Sequence, residues 1–556
     1  MRRILFMVGI MVVSLPSLSH GAMRTVCPDG SGDYITIQAA INASVNGDVI
    51  VLCNGIFLGD GNRDIDYLGK MITVRSQGGN PEACIIDCGG NPHRGFNFHS
   101  GEGSGSVLKG VKVRNGFAAT GEGGGIYCDG ASPTIDNCIL EDNVCPGGYG
   151  AGFFCRSSSP ALNNCTFFNN GTGVEIAGGG MACLDYSSPI LTGCVFEENR
   201  AQAGGGGMIC AGISNPALTD CQFWGNSLQQ IPGAWGGGLF CWSSASPVLE
   251  GCLFDGNLAT CGGGIACYDH CDPVLTGCVF SENASGGGGG AFFKYICNPQ
   301  LVDCTFNNNS GDYPVNGSGG AILCDASSPT LTTCTLAGNY ATTSGGGIYL
   351  YQSSPSIERT IIAFNTIGES VYCYGTGSSP TLTCCDVYGN AGGDWVGCIA
   401  GQSGLNGNIS LDPLFCDAAN GNYCLADGSP CAPFTAPNPQ CDLIGAWPPG
   451  CNAGVAEETV VESGLGLEAF PSPFTTSASI RYSLPARAVG ALVLLDIYDT
   501  AGRRVRRLVD SQPTTQLATV EWDGRSQNGE RMAAGIYFAR LGAGREKVSR
   551  PLILIR

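Results

Sequence analysis

Ten prolines, at 133, 160, 189, 216, 247, 273, 299, 329, 355 and 380, stand about 27 residues apart, and each begins the same phrase. Five residues after each comes a cysteine: 138, 165, 194, 221, 252, 278, 304, 334 and 385, with Thr360 in the ninth place. Ten residues after each comes an asparagine, at 143, 170, 199, 226, 257, 283, 309, 339, 365 and 390, without exception. A glycine cluster opens most units, as in GGGIYC (123–128), GGGMAC (178–183), GGGLFC (236–241) and GGGIAC (262–267). A unit of this size, with two or three short strands and no helical stretch, has nothing of its own to bury its apolar face against. It must stack on copies of itself, which is the defining constraint of a solenoid.

The unit folds on paper. In φ-x-C, where φ is apolar, and in C-x-F, residues two apart share one face of a strand. Cys194 and Phe196, or Cys252 and Phe254, therefore point the same way, and Thr166, Val195, Thr305 and Thr335 between such pairs face outward. Glycines and the Ser-Pro or Asn-Pro pairs mark corners. Parallel stacking at ~4.8 Å per coil places like residues in columns, and a column of asparagines can satisfy itself by amide hydrogen bonds running along the stack. Composition agrees: 87 of 556 residues are glycine, while only 13% are charged.

These units resemble the coils of right-handed parallel β-helices of the pectin-lyase type. The GG-apolar element and F-x-x-N, present at Phe167/Asn170, Phe196/Asn199, Phe223/Asn226, Phe254/Asn257, Phe280/Asn283 and Phe306/Asn309, also resemble polymorphic outer membrane protein repeats. The resemblance covers residues 27–452. The expected fold is all-β: a right-handed parallel β-helix solenoid followed by a small Ig-like β-sandwich. Residues 23–120 form an N-terminal cap and irregular first coils, 121–395 the ten repeats, and 396–452 a cysteine-rich C-terminal cap. In 33–52, Ile37, Ala40, Ile41 and Ser44 lie on one face of a short capping helix that turns at Gly47-Asp48 into a strand.

A linker (453–467) leads to residues 468–556. The runs SIRYSL (479–484), ALVLLDIYD (491–499), RRVRRLV (503–509), ATVEWDG (518–524), GIYFARL (535–541) and SRPLILI (549–555) alternate with turn signals, as expected of a sandwich of about seven strands. PSPF (471–474), YDTAGRRV (498–505), WDG (522–524) and GIYF (535–538) resemble the Ig-like domain of flagellar-hook-capping proteins and, equally, the C-terminal sorting domains of type IX secretion. Either resemblance implies targeting or structure, with the secretion or outer-membrane machinery as partner.

The N-terminus fixes the expected compartment. Arg2 and Arg3 precede an apolar run from Ile4 to Val13, and Ser19 and Gly21 suit a cut before Ala22, so residues 1–22 read as a secretory signal peptide. No later stretch is long and apolar enough for a transmembrane helix. A secreted or cell-surface, outer-membrane-associated monomer is expected. The net charge is −19, unevenly placed: residues 469–556 carry 13 basic against 7 acidic groups, leaving the body strongly acidic and a poor partner for nucleic acid.

The 32 cysteines admit two readings within the columns: buried thiols acting as small hydrophobes, or disulfides across the interior. Cys416, Cys424, Cys431, Cys441 and Cys451 lack the ladder spacing and are expected to be disulfide-bonded. No C-x-x-C pair stands opposite another, so neither a metal site nor a cofactor is expected.

Catalytic signatures of the resembling families are not found. The polygalacturonase N-T-D, D-D and R-I-K motifs are missing, and so are the downstream Q-D-T and G-R-P-W motifs of pectin methylesterases, although DGSGDYITIQAAI (29–41) is similar to how the latter begin. Asp269, His270 and Asp272 read as a solvated turn, and no catalytic residue is assigned. Binding has more support. Outward positions beside the φ-x-C cysteines hold Tyr127, Phe154, Phe240, Trp242, Tyr268, Phe293, Tyr295, Tyr349 and Tyr351, two aromatic columns on a flat face suited to stacking sugar rings. Asp129, Asp185, Asp269 and Asp325 stand nearby to accept hydroxyl hydrogen bonds. The competing reading is that these aromatics stack on one another or lie under loops. The expectation is a non-catalytic adhesin-like or polysaccharide-binding module, anchored through its C-terminal domain, with a polysaccharide or surface glycan as ligand. The alternative is a pectate-lyase-like polysaccharide lyase or a glycoside hydrolase.

Overall fold

The computed structural model describes residues 21–451 apart from 91, 120, 174–176, 229–232 and 313–316. It also describes 466–554 apart from 471–473, 475, 485–492, 500–502, 513–516, 534 and 544–545. Residues 1–20 of the expected signal peptide and 453–465 of the expected linker lie outside the described residues.

Among the described residues each repeat makes one coil with three main strands, and four consecutive coils add a two-residue fourth one, Val144–Cys145, Gly171–Thr172, Arg200–Ala201 and Ser227–Leu228. The φ-x-C segment enters a 12-stranded parallel sheet, P-x-L a 14-stranded one, and x-F-x a 13-stranded one. These are called below the cysteine-strand, proline-strand and phenylalanine-strand sheets. In the coil that starts at Gly262 the strands are Ile265–Tyr268, Val274–Thr276 and Val279–Ser281. Consecutive coils pair in register, with Cys241 opposite Cys267 and Phe254 opposite Phe280.

The columns form as the spacing requires. Phe167, Phe196, Phe223, Phe254, Phe280 and Phe306 are buried and stack face to face at 4.4–4.7 Å. Leu140, Leu336, Ile362 and Val387 continue the same row. The asparagine column is continuous from Asn143 to Asn390 and fully buried over most of its length. Asn226 shows its bonding: its Nδ2 donates to Phe196 O at 2.8 Å and to Asn257 Oδ1 at 3.0 Å, while its Oδ1 accepts from the backbone N of Asn199 at 3.1 Å. Buried amides are tolerated here because each one finds partners on both neighbouring coils.

The glycine clusters are explained by the turn they make. Gly262 has φ +64°, a left-handed conformation, and a Cβ on Gly264 would lie 2.6 Å from Gly290 O on the next coil. Only glycine lets the backbones of successive coils approach this closely.

At the N-terminal end, helix Ile37–Asn42 buries Ile37, Ala40 and Ile41 against the first coil, with Thr36 Oγ1 capping Ala39 N. At the other end, the segment after Asn390 folds back onto the outer face of the phenylalanine-strand sheet. Ile444, Leu425, Cys431 and Cys441 pack there against Ile361 and Ala363. Among its described residues the C-terminal unit has seven strands in two antiparallel sheets around the buried Trp522, as an Ig-like sandwich requires; the first of them, Gly466–Phe470, begins two residues before the expected boundary.

The cysteines settle into the first of the two readings. The ladder cysteines 128, 155, 183, 210, 241, 267 and 324, and all nine of the proline-linked column, are free buried thiols. Four disulfides lie at the ends: Cys27–Cys53, Cys373–Cys398, Cys384–Cys441 and Cys416–Cys451. The expectation for the cap is corrected at two places, since Cys424 and Cys431 are free. Cys431 Sγ instead donates to the buried Asp386 Oδ2 at 3.1 Å.

Candidate functional site

The outward face of the cysteine-strand sheet carries two columns, from the second and fourth residue of each strand. The second-residue column holds Tyr127, Phe154, Ala182, Ile209, Phe240, Ala266, Phe292, Leu323, Tyr349 and Tyr372. Much of it is not a surface. Phe154 is fully buried and Phe240 nearly so, packed with Ala177, Ile209 and Phe292 in a second apolar cluster outside the solenoid core, against which Tyr149 and Trp235 also pack. These two aromatics point away from the core but lie under neighbouring loop residues, so they are not sugar platforms.

Phe293 is a larger correction. It lies inside the solenoid, in register with Cys267 and Cys324. The five-glycine run 286–290 hides the frame: Gly288–Gly290 occupy the places of Gly262–Gly264, so Ala291 takes the apolar position and Phe293 the cysteine position. Phe292 is the outward residue of that strand. Tyr295 lies just past the strand end, with φ +58°, and is exposed.

What remains accessible is the fourth-residue column in the C-terminal half. Six consecutive strands present Trp242, Tyr268, Lys294, Asp325, Tyr351 and Tyr374, each opposite the next. At ~4.8 Å per strand the row is about 24 Å long. Trp242 is 44% exposed, Tyr351 37% and Tyr374 54%. Tyr374 rests on Tyr351 at 5.8 Å and near Tyr349 at 6.4 Å, and Tyr349 meets Tyr372 at 5.4 Å. Tyr268 is braced edge-on by Trp235 at 5.0 Å and by Tyr295 at 5.1 Å.

Between the two aromatic pairs, Lys294 Nζ reaches Asp325 Oδ2 at 2.8 Å. Burial works against the Lys294 charge, but Asp325 outweighs it and holds the ammonium above its ordinary pKa. The ammonium also stands 4.8 Å from the Tyr295 ring centroid and 5.9 Å from that of Trp235. The row is therefore two aromatic pairs flanking a mutually neutralised ion pair. A similar grouping occurs at the other end of the sheet. There Arg156 reaches Asp129 at 2.7 Å, Tyr127 Oη donates to Asp129 Oδ2 at 2.9 Å, and Arg94 lies over the Tyr127 ring. Asp129, bonded first by Arg156, sits below the ordinary carboxylate range.

Of the nine expected residues, the structure gathers Trp242, Tyr268 and Tyr351 in the row, with Tyr295 and Tyr349 packed beside it. Tyr127 lies in the distant group, and Phe154, Phe240 and Phe293 are buried. Lys294, Tyr372 and Tyr374 were not foreseen. The signal for Tyr374 was present, because VYCY (371–374) repeats the φ-x-C-x pattern that ends in Trp242 and Tyr268. The side chains of Asp269 and His270 are about half exposed and pair with each other at 2.7 Å. Among the described residues no group of three or more His, Cys, Asp or Glu is arranged to hold a metal ion. No described helix is long and apolar enough to cross a membrane.

Comparison with known proteins bears on the fold. A family model described as a right-handed beta helix region matches residues 49–188, 180–319 and 285–409. A model of the FlgD Ig-like domain matches residues 473–546. No curated protein matches the chain. Among solved structures, pectin methylesterase from carrot is 11% identical, covering 72% of this chain and 91% of its own, with a TM-score of 0.20. The Agl-KA catalytic domain is 11% identical over 62% of this chain and 64% of its own, with a TM-score of 0.28. Dimeric latent PorU from Porphyromonas gingivalis is 22% identical, covering 18% of this chain and only 10% of that one, with a TM-score of 0.15. Likeness at this level carries nothing about activity.

Proposed function

The chain belongs to the right-handed beta helix family, and from that premise we propose that it is a non-catalytic glycan-binding protein of the cell exterior. The observation that carries the reading is the row Trp242, Tyr268, Lys294, Asp325, Tyr351 and Tyr374 on one flat, rigid sheet face. Exposed aromatic rings offer stacking surfaces to the C–H faces of sugars, and an adjacent cation and carboxylate offer donors and acceptors to hydroxyl groups. Parallel strands hold these side chains at fixed spacing, so little ordering entropy is lost on binding. Lys294 and Asp325 are spent on each other rather than poised as an acid or base, which favours binding over the lyase or hydrolase reading.

Export through the N-terminal Arg2-Arg3 and apolar segment, and attachment through the FlgD-like Ig domain, complete the proposal. The test is binding of the full chain to a panel of immobilised polysaccharides, compared with Trp242→Ala/Tyr374→Ala. Both side chains are exposed, so the variant keeps its melting temperature, and it loses at least about tenfold in affinity, as expected for truncated aromatic anchors. Unchanged binding by the variant rejects the row as the site, and binding to none of the panel rejects the glycan reading.

A further inference from the structure

The outer face of the phenylalanine-strand sheet is closed from one end by the chain's own cap. Leu411 N and Cys431 Sγ bond Asp386, Ile444 packs on Ile361, Ala446 N donates to Thr335 Oγ1 at 3.0 Å, and Trp447 Nε1 donates to Thr305 Oγ1 at 2.8 Å. Each contact lies one strand further back toward the N-terminus, and among the described residues the cap's hydrogen bonds to this face end at Thr305.

Of the four strands beyond that point, three are not open surface. Gln222, Leu253 and Ser281 are only 5%, 3% and 7% exposed. Gln222 Oε1 and Trp224 Nε1 are buried without a hydrogen-bond partner, which is uncommon in a native protein and marks a place where a polar partner belongs. Glu197, Trp224 and Asp255 form one outward row, and Glu198, Asp220, Glu250 and Glu282 stand at or near the strand ends. Burial, with Glu282 nearby, pushes the Asp255 carboxyl up to about 6. Burial and Glu198 raise Glu197. Asp220 is raised by burial too, and Arg550 is the charge that pulls it back. This is an acidic, partly dehydrated face short of positive charge.

The same chain ends in a domain of opposite sign, with 13 Lys and Arg against 7 Asp and Glu in residues 469–556. Residues 452–465 can span at most about 48 Å, while the face from Thr305 back to Glu197 covers four strand spacings, about 19 Å.

We infer that the basic C-terminal Ig-like domain docks on the acidic outer face of the phenylalanine-strand sheet between Val195–Glu197 and Val279–Ser281, extending the cover that the cap begins. Arg550 pairs there with Asp220, and the docked domain supplies polar partners to Gln222 and Trp224. The domain is thereby held against the rod, and its exposure to any anchoring partner depends on its release.

The experiment uses the full chain. Hydroxyl-radical footprinting reads the oxidation of Trp224, and small-angle X-ray scattering reads the maximum dimension. Asp220→Arg and Arg550→Asp each raise Trp224 oxidation about threefold or more and lengthen the particle, and the double charge reversal restores both. Glu197→Lys gives the same release should Asp220→Arg fail to fold. Trp224 oxidation and particle length that ignore all of these changes overturn the proposal. So does Trp224 protection that disappears on dilution, which assigns the face to a second copy of the chain.

Discussion

Asn226 spends every polar atom of its side chain on neighbouring coils, and the same holds for most of its column. Replacing it with alanine leaves the buried N–H of Asn199 and the carbonyl of Phe196 without their partners. Removing a buried hydrogen-bonding group costs the desolvation of what it leaves behind, so Asn226→Ala is expected to lose about 2–4 kcal/mol. Urea denaturation followed by circular dichroism measures this, and a loss below about 0.5 kcal/mol would show the ladder to be ornamental. The asparagine was legible in the sequence because its spacing has no exceptions. Its partners follow directly, since parallel register leaves each amide one neighbour above and one below. Phe293 shows where residue-level reading fails: a run of five glycines has no internal marker, so a frame one residue off looks equally good until the strand on either side is known.

At the scale of the strand, the alternation of inward and outward side chains was legible outside the 286–290 glycine run, and it carried the cysteines inward. Burial pushes the Cys138 thiol up to about 12, and Cys84, Cys88 and Cys385 likewise. Such thiols are neutral and inert at ordinary pH, acting as small apolar fillers between the phenylalanine and leucine columns. With 24 free cysteines and four disulfides, a thiol reagent is expected to find 24 groups in the denatured chain before reduction and all 32 after it, and almost none in the native chain. A denatured count near zero would mean that the columns are cross-linked. Alternation alone says that Phe154 and Phe240 face away from the core; it does not say that other residues then cover them. That depends on loops whose path is set by contacts rather than by period, and it removed two residues from the expected platform while the regular strands 371–374 and 291–294 added Tyr374 and Lys294.

At the scale of the molecule, the cap's return over the phenylalanine-strand sheet decides which outward residues become interior. Asp386 is the clearest case: an outward strand residue, it is fully buried by the cap, and burial pushes its carboxyl up to about 7. A carboxyl whose pKa is raised by folding favours the folded state fully below its unfolded value near 4, and that advantage is lost as pH rises through 7. The three-unit gap corresponds to about 4 kcal/mol at most. Asp386→Asn is therefore expected to melt above the wild type at pH 8 and to lose that lead as pH falls from 7 to 4; parallel curves across that range would refute the assignment. By itself, the sequence determined the solenoid, its coil length, its inward columns and the separate sandwich. All of these follow from local period, and a repeated unit can bury its apolar face in only one way. The tertiary structure alone decided which outward faces stay open, because cover by the cap, by loops and by packed side chains comes from residues distant in the chain whose spacing repeats nothing.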